Sequence, residues 1–589
     1  MKRISMWALL VFLAVRVCAQ SIVNPSDSFY DDLRLWEALG LVSNLPPLRP
    51  YPERLVKALL QQVIDSGAEA PRAQAAAQYE RLFGKKLHFG AEATGTIGVS
   101  NGDVAKQIDL GLVSAGHIAV MDKFTIGYDA TLFATNKTPG EEIVAKNSGY
   151  RYDTYQDGTG VGPVDIFASV NSVAAFGSDS LWLQAGMSRA SWGNFYDNGV
   201  VISPDAHHTG NMALVLNRPA WNYTLAFFML AASTDSGAYP YPEKFMAMHS
   251  VGFTPFKWLG LTYYETAVYG QRIEPLYFLP VSPYMLSQQL NGYAEDNVQM
   301  GLEVKVRPFA GFSWDTDFFL DDVEFQDVVK FDFDTKIRVA IQTGVTWASS
   351  LPVLSTLALD YTLVTPYTYT HYDYSEVYIS NDPAQRINYQ NYTHNGKSLG
   401  VTIPPNSDRV TLAARFDPRT DLRLNTSFVF IRHANVNEAL PTEYLEQYLK
   451  AEAGANARTD GGVLDAPNAG NGQFSISHKK LLFMEQATKQ YTFQFGLDGS
   501  WEVPGVKFGA LSLSLGYVFE YIHNDGVDRD MFPSLPPIPY SGVGPEPDDY
   551  DPYSTYNMPQ KIADAKAAWK AQLRNTVNNY FWLGVRFTF

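Results

Sequence analysis

Residues 191–211 read SWGNFYDNGVVISPDAHHTGN and hold Trp192, Asn194, Tyr196, Asp205, His207 and His208. Flat aromatic faces stand beside planar hydrogen-bonding groups, the combination that holds a sugar: the ring's apolar face stacks while its hydroxyls pair with Asp, Asn and His. A second stretch, THYDYSEVYISNDPAQRINYQNYTHNG at 370–396, is dense in tyrosine and amides and adds Tyr389, Tyr392 and His394. Arg409 completes the candidate glycan ligands. The plainer reading makes Trp192 an interfacial aromatic and His207-His208 solvated loop residues. Adjacent histidines cannot both face one ion from a regular strand, and no third ligand accompanies them, so neither a metal nor a cofactor is expected. Asp321-Asp322 could suggest acid–base work, but their adjacency reads as a solvated turn edge. No nucleophile–base set or glycine-rich phosphate loop stands out. The chemistry on offer is binding, not catalysis, and the chain is expected not to be an enzyme.

The elements that must carry these residues are strands. In ALSLSLGYVFEY, Leu511, Leu513, Leu515, Tyr517, Phe519 and Tyr521 alternate with Ser512, Ser514, Gly516, Val518 and Glu520. The last residues, NNYFWLGVRFTF, put Phe581, Leu583, Val585, Phe587 and Phe589 on one face and Arg586 on the other. Period two predicts a strand, and a uniformly oily face suits lipid. About eighteen strands can be placed between residues 86 and 589. Every second connection is tight, as in GSDS at 177–180, RPFAG at 307–311 and DPRTD at 417–421, while most others are long, including 137–163, 194–210, 367–406, 433–489 and 523–576. Short turns on one rim and long loops on the other predict an all-β transmembrane barrel of the outer-membrane type, with antiparallel strands and both termini on the periplasmic, short-turn side. A strand that closes such a barrel cannot fray, which accounts for the terminal Phe589.

The other end differs. Lys2 and Arg3 precede an apolar run and a small-residue site, so residues 1–19 read as a signal peptide, with lipidation of Cys18, the only cysteine, as the rival. Residues 20–85 read as a helical bundle. Ser28 is the expected N-cap before Leu33, Trp36 and Leu39, Pro52 starts a helix carrying Leu55, Val56, Leu59, Leu60 and Val63, and an alanine-rich helix covers 71–83. Residues 86–589 are the barrel. TEYLEQYLKAEAGANA within 433–489 suggests a lid helix, and LPPIPYSGVGPEPDDYDPYS at 535–554 an extended loop. No run of about eighteen apolar residues marks a spanning helix. A net charge of −16 argues against nucleic acid as a partner.

In order along the chain, several stretches resemble the capsule assembly Wzi family. They are YDDLRLWEALGLVSNLPPLRPYPERLVKALL; SWG followed by ISPDA; LTYYETAVYGQ, PLYFLPVSPY and EDNVQMGLEVKVRP, with Glu265, Pro283, Asn297 and Gly301; FFLDD; and YQNYTHNGKSLGVTIPPNSDRV, with Asn391, His394, Gly400, Asn406 and Asp408. The resemblance implies an eighteen-stranded lectin-like barrel plugged by loops, with a periplasmic helical bundle. It further implies binding and organising of extracellular polysaccharide without chemistry, and insertion by the barrel-assembly machinery into outer-membrane lipid. An acidic glycan would need local positive charge, for which Arg386, Lys397 and Arg409 are the candidates. A channel for small solutes is the alternative, since a barrel this wide conducts unless its lumen is filled.

Overall fold

A computed structural model describes residues 24–589 except 67–68, 122, 138–140, 150–158, 198, 235–240, 291–295, 324–328, 331–336, 352, 372–386, 443–444, 446–482 and 533–555. The residues read as a signal peptide, most of the expected lid helix, the 535–554 stretch and Arg386 fall outside those described.

Eighteen antiparallel strands close into one barrel. They are β1 (Leu87–Ser100), β2 (Asp103–Met121), β3 (Phe124–Thr135), β4 (Val164–Gly177), β5 (Leu181–Ser188) and β6 (Thr209–Arg218). Next come β7 (Trp221–Thr234), β8 (Tyr241–Phe256), β9 (Leu259–Gly270), β10 (Asn297–Val306), β11 (Phe312–Val323) and β12 (Ile337–Ala348). The last six are β13 (Leu354–Val364), β14 (Ser407–Arg419), β15 (Leu422–His433), β16 (Gln490–Val503), β17 (Ala510–Asp525) and β18 (Arg574–Thr588). Each expected strand is present, and the short and long connections alternate from rim to rim. Closure is made by β18 on β1, from Gly90 opposite Thr588 to Ser100 opposite Asn578. Beyond it, Phe89 and Phe589 exchange both backbone hydrogen bonds, at 2.8 and 3.2 Å, so the final residue is tied down.

The outward wall is apolar. Ile108, Leu110, Leu112, Leu359, Leu412, Phe495, Leu515, Phe581, Leu583 and Val585 are all exposed. Trp221, Trp258, Trp314, Trp347 and Trp501, each at least 39% exposed, ring the short-turn rim. A band of aliphatic side chains ending in an aromatic girdle is how a barrel meets a bilayer.

At the short-turn rim three helices, α1 (Ser28–Ala38), α2 (Glu53–Asp65) and α3 (Glu69–Phe83), close the mouth. Asp27, not Ser28, caps α1, accepting from the Phe29 N–H at 2.8 Å. The carboxylate one residue upstream accepts from a first-turn N–H, which moves the cap back by one and puts Ser28 inside the helix. Leu55, Val56, Leu59, Leu60 and Val63 of α2 are buried as its spacing predicts. Apolar packing continues up the lumen: Phe29, Leu33 and Trp36 share one core with Trp192, Val200, Val201 and Ile202, with Tyr369, Tyr392, Leu399, Val401 and Ile403, and with inward-facing Tyr264 and Phe319 of the wall. Residues 189–197, 199–208, 365–371 and 387–406 therefore turn inward.

A second correction concerns Asp321-Asp322. Both lie in β11, where the pairing with β12 shifts register between Leu320 and Asp322. Asp321 is buried and accepts the Tyr369 N–H at 2.7 Å, while Asp322 pairs with Arg338 at 3.6 Å. The bulge turns both carboxylates to work on the inward loop and its wall, so neither is a solvated edge. The sequence reading also missed the helix α4 (Met558–Ala571) in the connection before β18, whose Met558, Ile562 and Trp569 pack on Val436, Leu440, Val527 and Phe532.

Candidate functional site

The residues singled out for sugar chemistry are mostly inside. Trp192 is paired through its backbone with Leu48 in a two-residue ladder, and its ring lies 5.2 Å from that of Tyr264. Asn194 bridges the plug to the loop: it accepts from Arg49 at 2.5 Å and donates to Glu37. Tyr196 lies under the Arg34 guanidinium at 5.1 Å, while Arg34 also donates to the Phe195 carbonyl at 2.7 Å. Three of the expected ligands thus hold the N-terminal helices to the first inward loop.

Five more lie at the second inward loop. Tyr392 is fully buried and donates its hydroxyl to the Val201 carbonyl at 3.0 Å, beside Tyr369, which donates to Val200 at 2.6 Å. Between these tyrosines and the first loop there is no spare volume: a Cβ on Gly400 would stand 2.6 Å from both the Tyr369 hydroxyl and the Val200 carbonyl. Tyr389 is buried against Gly270 at the end of β9. His394 accepts the Ala231 N–H at Nδ1, 2.9 Å, and its Nε2 lies 2.7 Å from the His208 carbonyl. That carbonyl can only accept, so the ring is the neutral Nε2–H tautomer. Burial pushes the His394 pKa down to about 4, and the nearby Lys244 acts in the same direction. His207 is buried with its ring 6.5 Å from that of His394. Arg409, also buried, pairs with Asp197 at 2.6 Å and donates to Thr402 at 3.2 Å.

Asp205 is different. It is half-buried and lines a cavity of about 290 Å³ at the long-loop rim, together with Asn147, Lys397, Ser398, Thr402 and Asp528 and the apolar faces of Val401, Ile403, Pro404 and Pro405. Its floor is the top of the inward loops. Lys146 pairs with Asp528 at 2.8 Å and with Asp525 at 3.4 Å. Burial works to raise the Asp528 pKa, but Lys146 outweighs it and holds the carboxylate below its ordinary range. The site therefore offers ionised carboxylate acceptors, ammonium and amide donors, and flat aliphatic walls. That is a binding chemistry for a hydroxyl-rich ligand about one sugar residue in size. Asn147, Thr402 and Asp528 escaped the sequence reading because they lie in three separate connections with no shared spacing. The Gly396-Lys397 and Pro404-Pro405 pairs were the available signal.

At the opposite mouth, a cavity of about 410 Å³ separates α1 and α3 from β14–β16. Asp32 holds the helices there: it accepts from Arg415 at 2.6 Å, Arg423 at 2.9 Å and Gln78 at 2.5 Å. Burial raises its pKa, but the two guanidiniums prevail and the carboxyl is lowered below its ordinary value. Glu37 behaves likewise, with Arg307 at 2.5 Å opposing its burial.

No protein-family model matches the chain, and no curated protein matches it in sequence. Among solved structures it is similar to the Pseudomonas aeruginosa protein OccD3 (OpdP), at 10% identity and a TM-score of 0.41 over 86% of this chain and 91% of that one. It is similar to Acinetobacter baumannii OccAB3 at 9% identity and a TM-score of 0.40 over 85% and 98%. It is also similar to Wzi of Escherichia coli, an outer-membrane protein involved in group 1 capsule assembly and solved as a carbohydrate-binding β-barrel, at 13% identity and a TM-score of 0.50 over 96% of this chain and 99% of that one. What the chain shares with Wzi is its fold, an outer-membrane β-barrel, along nearly the whole length of both.

Proposed function

We propose that this chain is a non-enzymatic outer-membrane protein that binds and organises surface polysaccharide, capsular or exopolysaccharide, as Wzi's carbohydrate binding suggests. In this reading the long loops face the exterior, both termini face the periplasm, residues 20–85 plug the lumen from below, and the barrel-assembly machinery inserts the chain. The observation that carries the reading is the filled lumen: one apolar core joins the helices to both inward loops and leaves a polar cavity open at the long-loop rim. A packed lumen weighs against the solute channel. A glycan residue would enter the rim cavity with its hydroxyls on Asp205, Asp528 and Lys397 and a carbon face on Ile403 and Pro404.

The test is binding of purified capsular or exopolysaccharide fragments to the detergent-solubilised protein, measured by calorimetry, beside Asp205→Ala. Loss of one charge-assisted hydrogen bond is expected to weaken binding by about 10-fold, corresponding to roughly 1.5 kcal/mol. Absence of binding by the unsubstituted protein across neutral and acidic glycans would sink the reading. Equal binding by the variant would move the site away from this cavity.

A further inference from the structure

Residues 271–290, which follow β9, leave the long-loop rim but do not enter the lumen. On β8 and β9 the residues facing the lumen are Met246, Met248, Tyr264 and Val268, which belong to the central core. His249, Glu265, Ala267 and Tyr269 have the opposite parity and share the outward wall with exposed Val251, Phe253 and Tyr263. Yet they are buried, because residues 271–290 fold back over them. Phe278 stacks on outward-facing Phe227 at 3.8 Å, the Tyr284 ring lies 4.2 Å from His249, and the Pro280 carbonyl accepts from Tyr223, close to the short-turn end of β7.

Depth makes this unusual. His249 lies four residues along β8 from Phe253, near the tryptophan girdle. At ~3.3 Å per residue and a tilt near 45°, that is roughly 9 Å into an apolar band about 25 Å tall. Elsewhere the wall shows Leu412, Phe495 and Leu515 to the outside. Here it shows a histidine and a glutamate 3.1 Å apart, groups too costly to leave against hydrocarbon. The overlying segment covers both: Glu265 accepts from its Tyr284 N–H at 2.6 Å, as well as from the Tyr263 hydroxyl of β9 at 2.7 Å, and the Tyr284 ring screens His249.

The segment itself is built for the same environment. From Pro275 to Leu290 it has no charged residue. Irregular backbone survives in hydrocarbon only if its polar groups are paired within protein. Pro275, Pro280 and Pro283 have no N–H to pair. Leu276, Tyr277, Leu279, Ser282 and Ser287 donate within the segment. Its outer surface carries Ile273, Leu279, Leu286, Val281 and Leu290, the last two 88% and 85% exposed.

We propose that residues 273–290 form an apolar plate on the outside of the barrel, lying within the membrane and contacting lipid acyl chains. The plate replaces lipid over the His249–Glu265 pair and presents an aliphatic surface in its stead. This rests on the membrane-spanning reading but not on glycan binding. The test uses the full chain with Cys18→Ser, reconstituted into phospholipid vesicles and spin-labelled at Val281→Cys or Leu290→Cys. Leu515→Cys on the bare wall serves as the lipid reference and Lys507→Cys in a short turn as the aqueous one. Collision with oxygen relative to a water-soluble nickel chelate is expected to match Leu515→Cys and to exceed Lys507→Cys several-fold. Ready collision with the chelate at both plate positions would overturn the proposal. So would protection from both reagents, which would mean a second copy of the chain covers the plate. An aqueous signal from Leu515→Cys itself would remove the membrane reading and the plate with it.

Discussion

Asp32 shows how much of this molecule hangs on single buried carboxylates. Fully enclosed, it answers two guanidiniums from the barrel wall and one glutamine of the plug. Asp417 keeps a carboxylate beside both guanidiniums, at 2.8 Å from Arg415 and 3.4 Å from Arg423, so removing the Asp32 charge costs its own charge-assisted bonds rather than stranding the arginines. Asp32→Asn is expected to loosen the docking of α1 on β14 and β15 by about 1.5–3 kcal/mol while the strands stay paired. Limited proteolysis within residues 26–83, beside an unchanged β-sheet circular dichroism signal, checks this. The sign of the pH effect follows from the lowered pKa. The carboxylate form is favoured in the fold, so its contribution is complete above the ordinary value near 4 and is lost as pH falls through the lower folded value. The plug should therefore stay seated from neutral pH to about 4 and loosen only below it.

At the scale of elements, the inward segment 387–406 is latched on a different titration. His394 must be neutral to accept from Ala231 while its Nε2–H faces the His208 carbonyl, and a proton on Nδ1 would set two donors against each other. Its pKa is pushed down to about 4 by burial, against about 6.5 for a released loop. The released state takes up the proton first as pH falls. Docking of the loop is therefore complete above about 6.5 and weakens steadily towards 4, a window where the Asp32 contacts are intact. Hydrogen-exchange protection of residues 387–403, corrected for intrinsic rates, should fall between pH 7 and pH 5 while that of α1 holds. His394→Gln, which keeps a ring-free acceptor and donor, should flatten the response; an equal fall in the variant would assign the effect elsewhere.

For the whole molecule these contacts place one packed core inside the barrel among the described residues. Helices at one mouth and two interlocked loops behind them share one core, and the segments that would line an aqueous path are instead packed on each other. The purified protein in a planar bilayer is expected to be silent, or to show only brief openings, at potentials where an open barrel of eighteen strands conducts steadily. Sustained large steps would make the chain a channel and return the loops to the role of selectivity elements. The outside of the tube is uneven too: largely apolar, but covered over β7–β10, where the wall carries the His249–Glu265 pair.

Strand periodicity is a local property, written every two residues, so all eighteen strands, their rim-to-rim sorting of connections and the lipid face of β18 could be read from the chain by itself. The apolar stripe of α2 was legible for the same reason. The fate of the loops was not. Trp192 answers Leu48, Asn194 answers Glu37, and Tyr392 donates to a carbonyl 191 residues away, contacts with no local spacing to announce them. Aromatics and amides of one composition serve equally to grip a sugar or to pack a plug. Only the inward turn of the two loops made most of them structural and left Asp205 beside Lys397 and Asp528 at the rim. The plate was hidden likewise: PLYFLPVSPY reads as a proline-rich connection, and its position on the lipid side follows from Glu265 and His249 facing out, a matter of strand parity that required the register to be known.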